Sequence, residues 1–258
     1  MKFSVLASGS RGNACYVETA EARILVDAGL SCRELIRRLE IVQVAPSSVN
    51  ALIITHEHLD HLRGAGPFAR RFDIPVYING PTLKRSIRTL GNLSKPVNIA
   101  TGQAVTINDL LIETFTKCHD AVDPMGVVMS ADGCRLGLIT DLGRSTKLIE
   151  DRLKGCNGLI IEFNHDEKML DEGPYPLELK RRIRGPDGHL SNLQARRLLK
   201  AVSHANLSRV VLAHISAENN LPEKAYKEAQ DALSGYGLQD ADIVVGEQDR
   251  AISMLDLA

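Results

Sequence analysis

Thr55-His56-Glu57-His58-Leu59-Asp60-His61 follows directly on the apolar run Ala51-Leu52-Ile53-Ile54. A short apolar run bounded by polar residues reads as a buried strand, so the cluster falls where a strand ends and a loop begins. The segment holds three of the chain's eight histidines, with an aspartate between the last two. Neutral imidazole and carboxylate are the usual ligands of zinc and related divalent ions. A single histidine is more often a surface or core residue than a ligand. Four ligand-type side chains within six residues are poorly explained as solvent decoration, and the segment is read as part of a metal site.

Working outward, 258 residues suffice for one large domain with a full core. Hydrophobic content of 44% and charged content of 24% are those of a soluble globular protein. A net charge of -1 sets up no global field for a polyanion, so any nucleic-acid surface must be local. Met1-Lys2-Phe3-Ser4-Val5-Leu6 is too short an apolar run for a signal peptide, and no run reaches the roughly 18 apolar residues of a membrane span. The five cysteines, Cys15, Cys32, Cys118, Cys134 and Cys156, are odd in number and have no paired spacing. No disulfide framework is expected, and a reducing cytoplasm fits best. Cys118 precedes His119 and is the one thiol placed near a candidate site residue.

Strands are expected at Phe3 to Leu6, Cys15 to Glu18, Arg23 to Val26 and Ala51 to Ile54. A helix opens at Ser31, which with Glu34 has the spacing of a capping box. A second runs from Pro81 to Gly91, proline at the start and glycine past the end. Strands return at Ala104 to Ile107, Leu110 to Phe115, Gly126 to Met129 and Arg135 to Ile139, the last two joined by an Asp132-Gly133 turn. Beyond Asp141 short strands (Leu159 to Ile161, Val210 to Leu212) alternate with helices at Ser191 to Ser203 and Glu223 to Leu233. With no repeat or linker, one α/β domain over residues 1–258 is the economical reading.

The other candidate ligands also follow strands. Asp27 ends Ile24-Leu25-Val26; His119 comes soon after Phe115; Asp141 ends the run to Thr140; His214 ends Val210 to Ala213. Polar residues at the ends of apolar strands sit on a rigid scaffold, the usual way a site is assembled from distant sequence.

His-x-His-x-Asp-His, then a lone histidine, an aspartate and a final histidine, resembles the motif order of the metallo-β-lactamase superfamily from Asp27 to His214. The resemblance implies an αββα four-layer sandwich, two mixed β-sheets packed face to face with helices outside. It implies two divalent ions, zinc or manganese, with iron also suited to such ligands. His56, His58 and His119 would hold one; Asp60, His61 and His214 the other, with Asp141 bridging. Asp27 would orient a ligand histidine. Two such ions would activate water and clamp a tetrahedral phosphorus centre. Aspartate at the bridging position suits a dinuclear hydrolase better than a β-lactamase, which commonly has cysteine there.

Three further segments narrow the resemblance. Ser8-Gly9-Ser10-Arg11-Gly12-Asn13 is either a tight turn or a phosphate-facing loop, with Ser10 and Asn13 as substrate-binding candidates. Glu162-Phe163-Asn164-His165-Asp166 follows a buried strand, and Gly188-His189-Leu190-Ser191-Asn192 precedes a helix. These resemble the glutamate-containing and Gly-His-Ser/Thr motifs of tRNase Z. With Gly173-Pro174-Tyr175-Pro176 and His214-Ile215-Ser216-Ala217-Glu218-Asn219-Asn220 they are still more similar to the bacterial YycJ/WalJ (VicX) branch. Arg11 stands where that branch often has serine. The resemblance implies a 5′-to-3′ exonuclease on double-stranded DNA with a role in DNA repair. Catalytic roles would fall to Asp60 (ligand, and orienting or deprotonating the nucleophile), His189 (proton donor to the leaving oxygen), Glu162 (orienting His189 or His165) and His165. The interval from Asp141 to His214 is too short for the clamp domain that RNase J inserts there.

Basic residues beside these motifs, Arg181, Arg182 and Arg196 among them, are candidates for backbone phosphate contact, as is Asn219 for substrate. The bland alternative is a solvated helix face. With no tryptophan and five phenylalanines, duplex backbone fits better as a partner than stacked single strands. Two rivals stand beside the nuclease. One is a small-molecule hydrolase acting on a cyclic phosphodiester, thioester or lactone with the same ions. The other is a regulatory partner-binding protein with a structural metal, which four closed ligands would satisfy. Oligomeric state is not legible in the sequence.

Overall fold

The computed structural model describes residues 1–234 and 241–257. The first seven strands are β1 (Lys2–Ala7), β2 (Ala14–Glu18), β3 (Arg23–Val26), β4 (Ala51–Ile53), β5 (Val76–Ile78), β6 (Pro96–Asn98) and β7 (Ala104–Ile107). The others are β8 (Leu110–Thr116), β9 (Met125–Ala131), β10 (Cys134–Ile139), β11 (Gly158–Glu162), β12 (Arg209–Ala213), β13 (Asp242–Val245) and β14 (Leu255–Asp256). The helices are α1 (Cys32–Ile41), α2 (Leu59–Leu62), α3 (Ala65–Phe72), α4 (Gly80–Leu90), α5 (Lys147–Leu153), α6 (Glu167–Glu172), α7 (Leu177–Arg184), α8 (Asn192–Val202) and α9 (Pro222–Ser234). The strands form two mixed sheets of seven.

The chain divides into two compact units. Unit 1 comprises Met1–Thr116, Ala121–Gly133 and Glu247–Ala258; unit 2 comprises Lys117–Asp120 and Cys134–Gly246. Unit 1 contains the sheet β14-β1-β2-β3-β4-β5-β6 and the antiparallel run β7-β8-β9. In that sheet β3, β4, β5 and β6 are parallel. Its core gathers Leu6, Tyr16, Leu25, Leu35, Leu52 and Phe68, all fully buried. β8 alternates buried and partly exposed residues over its first four positions, as an antiparallel strand with one covered face does.

Unit 2 is built on four parallel strands, β10-β11-β12-β13. Every residue of β11, flanked by parallel neighbours, is buried, and its Leu-Ile-Ile run needs no alternation. α8 buries Ala195, Leu198, Leu199 and Val202, a stripe at helical spacing, and packs against α9, whose Ala225, Ala229 and Ala232 permit close approach.

Ser31 accepts from Glu34 N at the start of α1, but Glu34 turns its carboxylate to Arg37 and Arg38 and does not complete a capping box. The two-way box lies at α8, between Ser191 and Gln194. α4 starts one residue before Pro81, capped by Asn79, and ends before Gly91. Asp132 and Gly133 take φ of 49° and 74°, the conformation a two-residue type I′ turn requires. All five cysteines are free.

Candidate metal centre and nuclease site

Parallel strands place their carboxyl ends on one edge, where α/β sheets commonly bind ligands. In unit 1 that edge carries Asp27 after β3 and Thr55 to His61 after β4. In unit 2 it carries Asp141 after β10, Glu162 closing β11 and His214 after β12. Asp27, Asp141 and His214 have φ of 60°, 55° and 54°. The left-handed region is unfavourable for residues with a Cβ, and such strain concentrates at functional sites.

In unit 1 the buried Asp27 carboxylate is a hub. Oδ1 accepts from Thr55 N at 2.8 Å; Oδ2 accepts from Thr55 Oγ1 at 2.8 Å and from His61 Nδ1 at 2.7 Å. Thr55 Oγ1, its proton spent on Asp27, accepts from His56 Nδ1 at 2.9 Å. Both buried imidazoles are thereby fixed in the tautomer that leaves Nε2 a lone pair. Asn13 Nδ2 lies 3.1 Å from His61 Nε2 and 3.1 Å from Asp60 Oδ2, and Asn13 N donates to Asp60 O at 2.7 Å. Asn13 is thus buried against candidate ligands; Ser10, in the same loop, is exposed. His58 is the N-cap residue of α2, which carries Asp60 and His61. The rings of His56 and His61 are 4.0 Å apart, those of His56 and His58 4.8 Å.

In unit 2 Asp141, Glu162, His189 and His214 bring ligand-type atoms within 4.8 Å of one another. Glu162, fully buried, accepts His189 Nδ1 at 2.9 Å and His214 Nδ1 at 3.2 Å. It also accepts the backbone N–H groups of Asp141 (3.1 Å), Leu142 (3.0 Å) and Leu190 (2.9 Å). Burial alone would raise its pKa, but the His189 and His214 imidazoles outweigh burial and hold it below the ordinary carboxylate range. Five donors saturate the carboxylate, so Glu162 positions its neighbours and has no free lone pair for proton transfer. His119 spends Nδ1 on Gly188 O at 3.2 Å. His189 stacks on His214 at 5.0 Å and 18° with its side chain 20% exposed.

His165 is separate from this cluster. It is buried, its ring nitrogens have no hydrogen-bond partner among the described residues, and burial lowers its pKa to about 4. It joins Ser191 through an isolated parallel bridge and lines a pocket of about 250 Å³ with Glu167, Arg184 and Gln194. Glu162 orients His189, not His165.

The substrate candidates divide. Arg182 Nε bonds Asp120 at 2.6 Å, and Arg196 pairs with Glu228 at 3.0 Å and Asp231 at 3.5 Å. Asn219 is buried beneath Gly173, whose added Cβ would lie 2.5 Å from its Oδ1. Those three side chains are turned inward or engaged within the chain, whereas Arg181 is exposed and outside any ion pair among the described residues. Two contributors escape sequence reading. Thr55 relays Asp27 to His56, and Asn164 Nδ2 donates to His214 O at 2.8 Å. Their adjacency to motif residues is the only trace they leave in the sequence.

No helix of the described residues is long and apolar enough to cross a membrane. The profile of the β-lactamase superfamily domain matches residues 22–215. The exodeoxyribonuclease YycJ of Bacillus anthracis is 36% identical over 93% of both chains. The exodeoxyribonuclease WalJ of Streptococcus pneumoniae serotype 2 is 34% identical over 95% of this chain and 91% of its own. The crystal structure of the metallo-β-lactamase fold protein YhfI from Bacillus subtilis superposes with a TM-score of 0.73 at 16% identity, covering 97% of this chain and 98% of that one. Strand-end candidate ligands, a matching domain profile and near full-length relatives agree: the chain belongs to the metallo-β-lactamase superfamily, alongside the YycJ/WalJ proteins.

Proposed function

We propose that the chain is a metal-dependent hydrolase of phosphodiester bonds, a nuclease acting as a 5′-to-3′ exonuclease on double-stranded DNA, with DNA repair as its setting. One observation supports this most directly. His56, His61, His119 and His214 each spend Nδ1 on an anchoring oxygen, of Thr55, Asp27, Gly188 and Glu162 respectively. Metal-ligating histidines are held in this way, with Nε2 left for the ion. The donor set of imidazoles and carboxylates fits zinc or manganese. His56, His58 and His119 are assigned to one ion, Asp60, His61 and His214 to a second, and Asp141 to both. When bound, the ions would supply an activated water and neutralise charge on the phosphate.

This chain's own residues then divide the remaining work. Asp60, hydrogen-bonded by Asn13, would orient the attacking water as well as act as ligand. His189 carries the proton for the leaving oxygen on Nε2. Glu162 accepts from Nδ1 and fixes the ring. The near full-length similarity to two exodeoxyribonucleases favours a polymer over a small ester as substrate.

The test is digestion, with added manganese or zinc and with EDTA, of blunt duplex DNA, single-stranded DNA and RNA, each labelled at one end. Metal-dependent release of nucleotides from the 5′ ends of duplex is the expected result. Turnover of bis(p-nitrophenyl) phosphate with all three polymers left intact would favour the small-molecule hydrolase instead. His189→Ala should keep its metal and lose turnover; full turnover would remove His189 from the mechanism.

A further inference from the structure

Between His61 and Asn108 the chain holds seven Lys or Arg and one acidic residue, Asp73, in a protein of net charge -1. Lys95 pairs with Asp73 at 2.7 Å. Arg70 turns inward to the end of α4, donating to Leu90 O at 2.6 Å and Asn92 O at 3.2 Å. The other five, Arg63, Arg71, Lys84, Arg85 and Arg88, are exposed and take part in no ion pair among the described residues.

The arrangement of these five is not that of a merely solvated helix. α4 buries Thr82, Ser86 and Leu90, and Lys84 and Arg88 lie on the opposite face with Arg85 beside them. Helix-dipole stabilisation accounts for basic residues in a last turn, such as Arg71 and Arg88, but not for Lys84 and Arg85 nearer the middle of α4. The bond from Arg70 to Leu90 holds the ends of α3 and α4 together. α2, which carries Asp60 and His61, packs against both helices. The two helices and the candidate ligand segment therefore belong to one packed group within unit 1.

We propose that the α3–α4 face, centred on Lys84, Arg85 and Arg88, binds the phosphate backbone of duplex nucleic acid, a reading that rests on the nuclease function proposed above. Lys84 and Arg88 are one helical turn apart, a rise of roughly 6 Å, and each strand of a duplex presents one phosphate for roughly every 3.4 Å of its axis. The face offers charge without an exposed aromatic ring for base stacking, so it suits backbone contact.

Binding is read by fluorescence anisotropy of a blunt duplex on full-length Asp60→Asn protein, across a salt series. A second protein carries Lys84→Gln, Arg85→Gln and Arg88→Gln in addition; a third carries Lys84→Arg, Arg85→Lys and Arg88→Lys. Each lost phosphate contact removes about 0.9 from the slope of log affinity against log salt. The glutamine protein should therefore lose roughly two to three from that slope, and the charge-conserving protein should keep it. An unchanged slope in a glutamine protein with an unaltered circular dichroism melt overturns this surface and leaves the nuclease reading standing. Absence of any salt-dependent duplex binding by the Asp60→Asn protein overturns both. Binding to vesicles of anionic phospholipid with the same charge dependence, and none to duplex, would mark the face as a membrane contact and overturn the proposal.

Discussion

At the scale of single residues, the most consequential side chain is Asp27, whose two oxygens serve three donors on Thr55 and His61. Asparagine at this position keeps one acceptor oxygen and tolerates the left-handed φ of 60°, so Asp27→Asn tests chemistry rather than backbone. Loss of the carboxylate behind His61 should weaken metal binding about 10- to 100-fold, the usual cost of removing such a partner. Chelator competition would measure it, and wild-type affinity would show that Asp27 is merely structural. His165 gives a second residue-level prediction. Its pKa falls from 6.5 to about 4 because burial disfavours the imidazolium. The unfolded chain therefore takes up this proton first, and the contribution is fully present above pH 6.5 and lost as the pH falls towards 4. Urea midpoints at pH 7 and pH 5 should differ less in His165→Asn than in the wild type. An equal difference would mean that His165 is already protonated in the folded state.

At the scale of elements, Gly29 shows how the turn after β3 meets α2. A Cβ there would lie 1.5 Å from Asp60 O, and Gly29 N donates to Asn13 O at 2.9 Å. Gly29→Ala must push Asp60 and α2 away, at roughly the 1–3 kcal/mol that overpacking costs, and should lower metal content along with stability. A drop in melting temperature with full metal loading would show that α2 moves as a rigid piece without disturbing the ligands. The same junction shows what could be read in advance. Apolar runs ending in Asp, His or Thr identified β3, β4, β10 and β12, because a buried parallel strand needs continuous apolar residues whatever its neighbours are. β5 and β6 were not legible: each has only three residues, Pro75 precedes one and Pro96 opens the other, and their pairing is tertiary. The seven candidate ligands lie at motif positions and could be named from sequence. The partners that lock their tautomers could not, since Thr55 and Gly188 acquire those roles only through the folded backbone.

At the scale of the whole molecule, each compact unit carries its own candidate ligands, His56, His58, Asp60 and His61 in unit 1 and His119, Asp141 and His214 in unit 2. Ions that bind only the native arrangement stabilise it by mass action. Free metal at a thousand times its dissociation constant adds about 4 kcal/mol for one site. For a chain of this size each kcal/mol moves the melting temperature by roughly 2–4 °C. Protein dialysed against EDTA should therefore melt roughly 8–16 °C below the same protein reloaded with zinc or manganese. Differential scanning calorimetry of both forms measures this, and also says where the metal acts. If each unit takes metal on its own candidate ligands, reloading shifts the entire transition. If only the Asp141, Glu162, His189 and His214 cluster of unit 2 takes metal, part of the enthalpy should stay at the metal-free temperature and the endotherm should split. An endotherm unmoved by metal would leave both units without an ion and remove the basis for a metallohydrolase.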